Sequence, residues 1–116
     1  MKKIEAVIRP HTLDGIVMAL EDNACISGLT VYEVRGFGMK HGRSRLSRIL
    51  ENDPEYIAML WIIVVVGDEL AEDVVNIILS KAWTGQAGDG LIIVSDIEEL
   101  ISIRTVRKYR EMSNCG

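Results

Sequence analysis

The sequence predicts a single α+β domain in which four strands and two helices follow one another in the order β-α-β-β-α-β. Three observations favour this prediction. The first is a length of 116 residues with 48% hydrophobic content, which suits one domain with one packed core. The second is a set of short segments in which apolar residues alternate. The third is a pair of longer segments in which apolar residues recur at helical spacing.

The first half of the chain predicts a strand, a helix and a second strand. Residues 2–9 alternate between apolar and polar side chains, and Pro10 ends this strand. The apolar side chains that would share one face of it are Ile4, Ala6 and Ile8. Thr12 is predicted to cap a helix that runs to about Ala24. Alternation and β-branched residues return at residues 29–35, which predicts the second strand.

The second half predicts a third strand, a second helix and a fourth strand. The third strand covers residues 57–66, and its continuous aliphatic run predicts burial on both faces. Asp68 is predicted to cap the second helix. The fourth strand covers residues 91–94. Two short elements are predicted to follow, a helical turn at residues 96–100 and a strand at residues 101–104.

This order of elements is that of the ferredoxin-like fold, a four-stranded antiparallel sheet with two helices on one face. The other face needs a cover, and Val31, Val64 and Val66 are predicted to supply its apolar surface. Association of subunits is therefore expected to bury that face. Residues 1–116 would form one domain, with a charged tail from about residue 105.

A long polar segment at about residues 38–56 separates the second and third strands. It carries basic residues first and acidic residues afterwards. A loop of this length inside a compact domain is usually functional or disordered. The segment predicts a regulatory loop, and a solvated insertion remains the alternative.

The segment between the second helix and the fourth strand has the most distinctive composition. Residues 84–90 contain three glycines and one acid. Glycine permits positive φ and the close approach of a ligand, and successive N–H groups in such a turn can bind an anion. This composition favours a phosphate or nucleotide site. It matches neither the Walker nor the Rossmann pattern, so an ordinary helix-to-strand turn stays open.

Charge and hydropathy argue against several classes of protein. The net charge of −4 argues against a general nucleic-acid binder, which would carry a basic face. The longest aliphatic run, residues 59–66, is too short to span a bilayer, and the first residues contain no apolar signal segment. A cytoplasmic protein without membrane insertion is therefore expected. His11 and His41 lack a third ligand nearby, and no metal site is predicted.

Four blocks of the sequence together resemble the PII signal-transduction protein family. These blocks are residues 1–10 (MKKIEAVIRP), residues 28–38 (GLTVYEVRGFG), residues 84–90 (TGQAGDG) and residues 103–105 (IRT). The resemblance implies a homotrimer of ferredoxin-like subunits with adenine-nucleotide sites between neighbouring subunits, and no catalysis. It also implies that the protein senses ATP against ADP and controls a transporter, an enzyme or a transcription factor through its long loop. The loop residues expected to bind that partner are Arg43, Arg45 and Arg48.

Carried over position by position, the resemblance implies a nucleotide site with three groups of residues. The adenine and ribose would be lined by Gly28, Thr30 and Val65. The nucleotide would be flanked at the root of the long loop by Gly36, Phe37 and Gly38. Backbone donors to the phosphates would come from Gly88, Asp89 and Gly90. Arg104 would reach the phosphates from the adjacent subunit, because a guanidinium binds phosphate oxygens bidentately.

The sequence departs from the resembled family mainly at charged positions. Lys40 replaces a glutamine that helps hold Mg²⁺ and 2-oxoglutarate, and Met59 replaces a lysine that binds the oxo-acid, so neither ligand is expected. Leu91 and Ser102 replace two phosphate-facing cations. ATP affinity should therefore fall, with Lys40 as a partial replacement and ADP or AMP as rivals. Asn52 stands where some members carry a uridylylated tyrosine.

Three rival functions stay open from the sequence alone. A ferredoxin-like phosphatase or kinase would need a catalytic histidine, or an arginine–asparagine pair, in a phosphate-binding site. His11 lies at a strand-to-helix turn where a phosphate site could form. An amino-acid-binding regulatory domain could use the loop at Gly28, but it would not need the turn at residues 88–90. A trimeric adaptor without a ligand is the strongest rival. Retained glycines with absent cations are what a decayed nucleotide site would show.

Overall fold

The computed structural model describes residues 1–24, 26, 28–37, 56–106 and 108–109. The strands are β1 (Lys2–Ile8), β2 (Thr30–Phe37), β3 (Tyr56–Val66), β4 (Gly90–Asp96), β5 (Leu100–Ile101) and β6 (Lys108–Tyr109). The helices are α1 (Leu13–Ala24) and α2 (Asp68–Ala82), and a 3₁₀ turn at Pro10–Thr12 precedes α1. The first six strands and helices follow the predicted order.

Four strands form one antiparallel sheet in the order β2-β3-β1-β4, which leaves β2 and β4 at its edges. Both helices pack on the same face of this sheet, where their apolar side chains meet those of β1 and β3. This arrangement confirms the predicted ferredoxin-like fold. Outside the sheet, β5 and β6 pair with each other as a short ribbon.

The core lies between this face of the sheet and the two helices. Its largest fully buried side chains are Ile4, Ile8, Ile16, Leu20, Ile62, Val64, Val66, Val74 and Ile78. Each buried aliphatic side chain of this size favours folding by about 1.5–3 kcal/mol relative to exposure. The alternation predicted along β1 is confirmed, because Ile4, Ala6 and Ile8 are all buried in this core.

In the single chain β3 is fully buried on one face only, and the placement of three valines on the open face is wrong. Val64 and Val66 are 2% and 1% exposed in the core, and Val31 is paired with the buried Ile62. A continuous aliphatic run does not reveal which alternate residues face the helices. Between residues 60 and 66 the even-numbered residues do so, and the odd-numbered ones lie on the open face.

Neither helix covers the open face of the sheet, which is largely apolar. Its apolar and aromatic side chains include Val7, Tyr32, Trp61, Ile63, Val65, Leu91 and Ile93. The rings of Tyr32 and Trp61 stack with centroids 5.9 Å apart. Trp61 Nε1 donates to Glu5 Oε2 at 2.9 Å, and Lys3 Nζ lies 3.0 Å from Glu5 Oε1. These contacts, that of Lys3 first, lower the pKa of Glu5.

Both predicted helix caps are wrong. The hydroxyl of Thr12 lies inside the 3₁₀ turn and donates to the carbonyl oxygen of Arg9 at 2.8 Å, and it accepts no hydrogen bond from the described residues of the helix. Asp68 is the first residue of α2 instead of its cap, and Gly67 occupies the cap position without a side-chain bond. Asp68 Oδ1 instead lies 3.0 Å from the amino group of Met1.

The end of β4 also differs from the prediction. Residues 96–100 form no helical turn, because β4 continues to Asp96, which is paired with Lys2 of β1 and forms an ion pair with it. Pairing with β1 thus overrides the local helical tendency. A strand was predicted at residues 101–104, but β5 ends at Ile101 and residues 103–105 form a turn.

Candidate functional site

The carboxylate of Asp89 organises the loop between α2 and β4. Its Oδ2 accepts hydrogen bonds from the backbone N–H groups of Thr84 and Gly85, at 2.7 and 3.0 Å. Its Oδ1 accepts hydrogen bonds from the Thr84 hydroxyl and from Arg9 Nε, the latter at 3.0 Å. Donors from three residues therefore converge on one side chain and close the loop on itself.

Arg9 ties this loop to the central strand. It directly follows β1, and its Nη2 donates to the carbonyl oxygen of Ala87 at 2.7 Å. The side chains of Arg9 and Asp89 are only 25% and 21% exposed, so their ion pair is sheltered from solvent. No local pattern in the sequence marks Arg9 as part of the site. The available signal was topological, since antiparallel pairing of β1 with β4 brings the end of β1 beside the loop that precedes β4.

The pKa of Asp89 lies well below its ordinary value of 3.8. The hydrogen bond from the Thr84 hydroxyl is the largest cause, followed by the Thr84 N–H group, with Arg9 and Gly85 adding to it. All of these donors favour the ionised carboxylate. A carboxyl group whose pKa is lower in the folded state stabilises the fold above its unfolded pKa. That stability is lost as the pH falls through the folded pKa.

We therefore expect Asp89→Asn to be less stable than the wild type at pH 7. The difference should shrink as the pH falls below about 4, because the unfolded wild-type chain then binds a proton at Asp89 that the folded carboxylate does not yet bind. Urea titrations at several pH values between about 2 and 7 measure the free energy of unfolding of both proteins. Asp73→Asn, which changes an exposed aspartate of α2, is the matched control. A difference between Asp89→Asn and wild type that stays constant with pH would contradict this assignment.

Three glycines of the loop have positive φ angles, 82° at Gly85, 90° at Gly88 and 108° at Gly90. Residues with a Cβ rarely adopt this conformation. At Gly90 a Cβ would also lie 1.7 Å from the carbonyl oxygen of Val7, so the packing of β4 on β1 excludes any side chain. At Gly88 a Cβ would lie 3.4 Å from Arg9 Nη2. The guanidinium group therefore passes close to that glycine.

The exposed part of the loop leaves donors for an anion. Among the residues that the structure describes, the backbone N–H groups of Ala87 and Gly88 have no hydrogen-bond acceptor. Neighbouring free N–H groups beside a residue with positive φ are the arrangement that binds phosphate oxygens. The Asp89 carboxylate already accepts hydrogen bonds from Thr84, Gly85 and Arg9. The described residues also contain no group of three His, Cys, Asp or Glu side chains able to hold a metal ion.

The residues predicted to line the adenine lie away from the glycine loop. Val65 is paired with Lys3, near the start of β1. Thr30 is paired with Ile63, level with the middle of β1, on the edge strand opposite β4. Gly90 is paired with Ile8, the last residue of β1. Five residue steps separate Lys3 from Ile8, or about 17 Å along an extended strand. One chain therefore does not bring the two groups together.

The remaining predicted site residues fall at several places. Gly36 and Phe37 are the last two residues of β2, at the same end of the sheet as the glycine loop but on the other edge. Gly28 is exposed, and a Cβ there would meet no atom within 4 Å, so the single chain does not require glycine. Arg104 is exposed in the turn after β5. Five predicted residues lie outside the described residues: Gly38, Lys40, Arg43, Arg45 and Arg48.

Comparison with known proteins identifies the family. The family model described as "Nitrogen regulatory protein P-II" matches residues 1–107. A protein of that name from Nostoc punctiforme is 45% identical over 111 residues, covering 96% of this chain and 98% of the relative. One from Bradyrhizobium diazoefficiens is 44% identical over 105 residues, covering 90% and 93%. One from Synechocystis sp. is 43% identical over 111 residues, covering 96% and 98%. The chain therefore belongs to the nitrogen regulatory protein P-II family and is a signal-transduction regulator rather than an enzyme.

Proposed function

We propose that this regulator binds an adenine nucleotide, ATP or ADP with AMP as a further candidate, with the phosphates on the glycine loop. The observation that carries the proposal is the loop built around Asp89. It is closed by internal hydrogen bonds, yet it keeps the N–H groups of Ala87 and Gly88 available to an anion. An ordinary connecting turn would not need three residues with positive φ held in this way.

The proposed site lies between subunits of a homotrimer. In a single chain Val65 lies five residue steps along β1 from the glycine loop, and Thr30 lies on the opposite edge strand, so a shared ligand needs residues of two chains. The open face and the exposed β4 edge supply apolar surface for that association, with Leu91, Ile93 and Val94 each more than 40% exposed. Exposed apolar surface of this kind marks a protein–protein contact.

The charge at the site favours ligands with fewer phosphates than the family's usual ATP. Leu91 is 54% exposed and offers no cation, and Ser102 is half-buried and neutral. By the resemblance, Arg104 and Lys40 are the cations expected to contact a phosphate directly. Because each charge-assisted contact contributes about 1.5–3 kcal/mol, the loss of two weakens ATP binding more than AMP binding.

We propose that 2-oxoglutarate and Mg²⁺ have no part in this site. Met59 stands where a cation would bind the oxo-acid, and its side chain is 6% exposed. The output would pass through the loop at about residues 38–56 to a transporter, an enzyme or a transcription factor in the cytoplasm. Arg43, Arg45 and Arg48 would contact that partner. Neither helix among the described residues has the length and apolar character needed to cross a bilayer.

The second candidate function is a trimeric adaptor whose nucleotide site has decayed. The observation that favours it is the lack of a cation at positions 91 and 102. Such a protein would keep the glycine loop because Gly90 is needed for the packing of β4 on β1.

Calorimetric titration of the purified protein with ATP, ADP and AMP separates the two functions. Each nucleotide is tested alone, with Mg²⁺ and with 2-oxoglutarate. We expect micromolar binding of at least one nucleotide, no response to 2-oxoglutarate, and a loss of at least about tenfold in Arg104→Ala, the size of one charge-assisted contact. No heat with any nucleotide from a folded trimer would establish the adaptor. A response to 2-oxoglutarate would contradict the inference from Lys40 and Met59.

A further inference from the structure

We propose that Arg9 positions the glycine loop for phosphate binding without contacting the ligand itself. This inference rests on the proposed function, because it concerns the same loop. The Arg9 side chain holds two points of the loop at once, the Asp89 carboxylate through Nε at 3.0 Å and the Ala87 carbonyl through Nη2 at 2.7 Å. Gly88 lies between these two points, and its N–H group is one of the two free donors.

The planar guanidinium fixes the relative orientation of the residues that it joins. Both hydrogen bonds leave one rigid fork, so Ala87 and Asp89 cannot rotate independently. Gly88 is held from both sides, and the guanidinium passes so close that a Cβ on it would lie 3.4 Å from Nη2. A lysine ammonium is a single point charge and would not bridge the same two acceptors in a fixed geometry.

The backbone of Arg9 gives this side chain a firm anchor. It follows β1, which is paired with β3 on one side and with β4 on the other. The carbonyl oxygen of Arg9 accepts hydrogen bonds from the backbone N–H and the hydroxyl of Thr12, at 3.1 and 2.8 Å. Pro10 restricts the backbone immediately after it. The loop is thus fastened to the most rigid part of the sheet.

Loss of Arg9 should weaken binding only for ligands that contact the loop. Without the guanidinium, Ala87 loses the partner of its carbonyl oxygen, and Asp89 keeps only its bonds to Thr84 and Gly85. The freed residues must then be ordered when a phosphate binds, which costs conformational entropy. Adenosine lacks phosphates and would contact residues away from the glycine loop, such as Thr30 and Val65, so its affinity should not change.

The test measures ADP and adenosine binding to the full-length protein by calorimetry. We expect Arg9→Gln to bind ADP at least about tenfold more weakly, equivalent to about 1.4 kcal/mol, and adenosine within about twofold of the wild type. Arg9→Lys should lose at least about threefold for ADP, because it retains charge without the fork. Lys81→Gln is the matched control. It removes one positive charge from the last turn of α2, next to the loop, where Lys81 has no ion pair with a described residue.

Amide hydrogen exchange in the unliganded protein provides a second measurement. The Thr84 and Gly85 amides, which donate to Asp89, should exchange faster in Arg9→Gln than in Lys81→Gln.

Unchanged ADP affinity in Arg9→Gln would overturn the inference while leaving the proposed function intact. Equal losses for ADP and adenosine would also overturn it, because they would indicate a general structural role. Where Arg9→Gln does not fold, the same comparisons are made with Arg9→Lys. A folded wild type that binds no nucleotide would overturn the proposed function and this inference together.

Discussion

Gly90→Ala is expected to destabilise the fold by at least about 3 kcal/mol, or to prevent folding. The new Cβ would lie 1.7 Å from the carbonyl oxygen of Val7, and the φ of 108° is one that alanine rarely adopts. The clash is with backbone, so no side-chain rotation can relieve it. Relief requires β4 to move away from β1 at the point where Gly90 is paired with Ile8. Chemical denaturation of the purified variant measures the loss.

Gly15→Ala is the matched control for this substitution. Gly15 lies on the exposed side of α1, and a Cβ there would meet no atom within 4 Å. Alanine in a helix interior is more favourable than glycine by about 0.5–1 kcal/mol, so this variant should be slightly more stable than the wild type. Glycine-to-alanine substitution is thus expected to lower the stability at position 90 and to raise it at position 15. A Gly90→Ala protein within about 1 kcal/mol of the wild type would show that β4 does not pack on β1 as described.

Ile93→Glu is expected to dissociate the proposed trimer and to raise its dissociation constant at least about a hundredfold. Ile93 lies on the open face of the sheet, paired with Glu5, and it is 41% exposed in the single chain. A carboxylate there costs the isolated subunit little beyond a modest repulsion from Glu5. In an assembly that buries the open face, each subunit would bury an unpaired charge, and the penalty would be repeated in all three.

Sedimentation equilibrium over a range of protein concentrations measures this change, and circular dichroism reports whether the subunit stays folded. Met18→Glu is the matched control, because Met18 is 63% exposed on α1, on the helical side of the sheet. It replaces an exposed apolar residue with the same charge and should leave the assembly unchanged. An Ile93→Glu protein that remains trimeric at micromolar concentration would place the subunit contact elsewhere than on the open face.

The order of the elements was predictable from the sequence because each has its own periodicity. Along β1, Lys3 and Glu5 mark one face and the buried Ile4, Ala6 and Ile8 the other, so the buried face could be assigned. Along β3 the run from residue 60 to residue 66 has no polar residue to mark a face, and the assignment of Val64 and Val66 failed. Where a strand has no polar residue to mark one face, only its register with β1 determines which side chains face the helices.

The loop was predicted, but the chemistry that shapes it was not. The glycines of residues 84–90 indicated an unusual backbone, which the positive φ angles confirm. The sequence pattern did not reveal that Asp89 would accept bonds from its own loop, or that Arg9 would cross from β1 to reach it. These two residues are 80 positions apart. A contact between them follows from strand pairing and leaves no trace in local composition.

A loop that is closed before any ligand arrives also affects how fast the protein can respond. Asp89 holds the backbone of Thr84 and Gly85 in place within the chain alone, so no slow folding step needs to precede ligand capture. Association then depends on diffusion and orientation, and the time for which a ligand stays bound is set by its dissociation rate. Under the proposed function, the protein would follow changes in nucleotide concentration as quickly as the previous ligand leaves. Substitutions that weaken ligand contacts without loosening the loop would shorten the time for which the previous ligand stays bound.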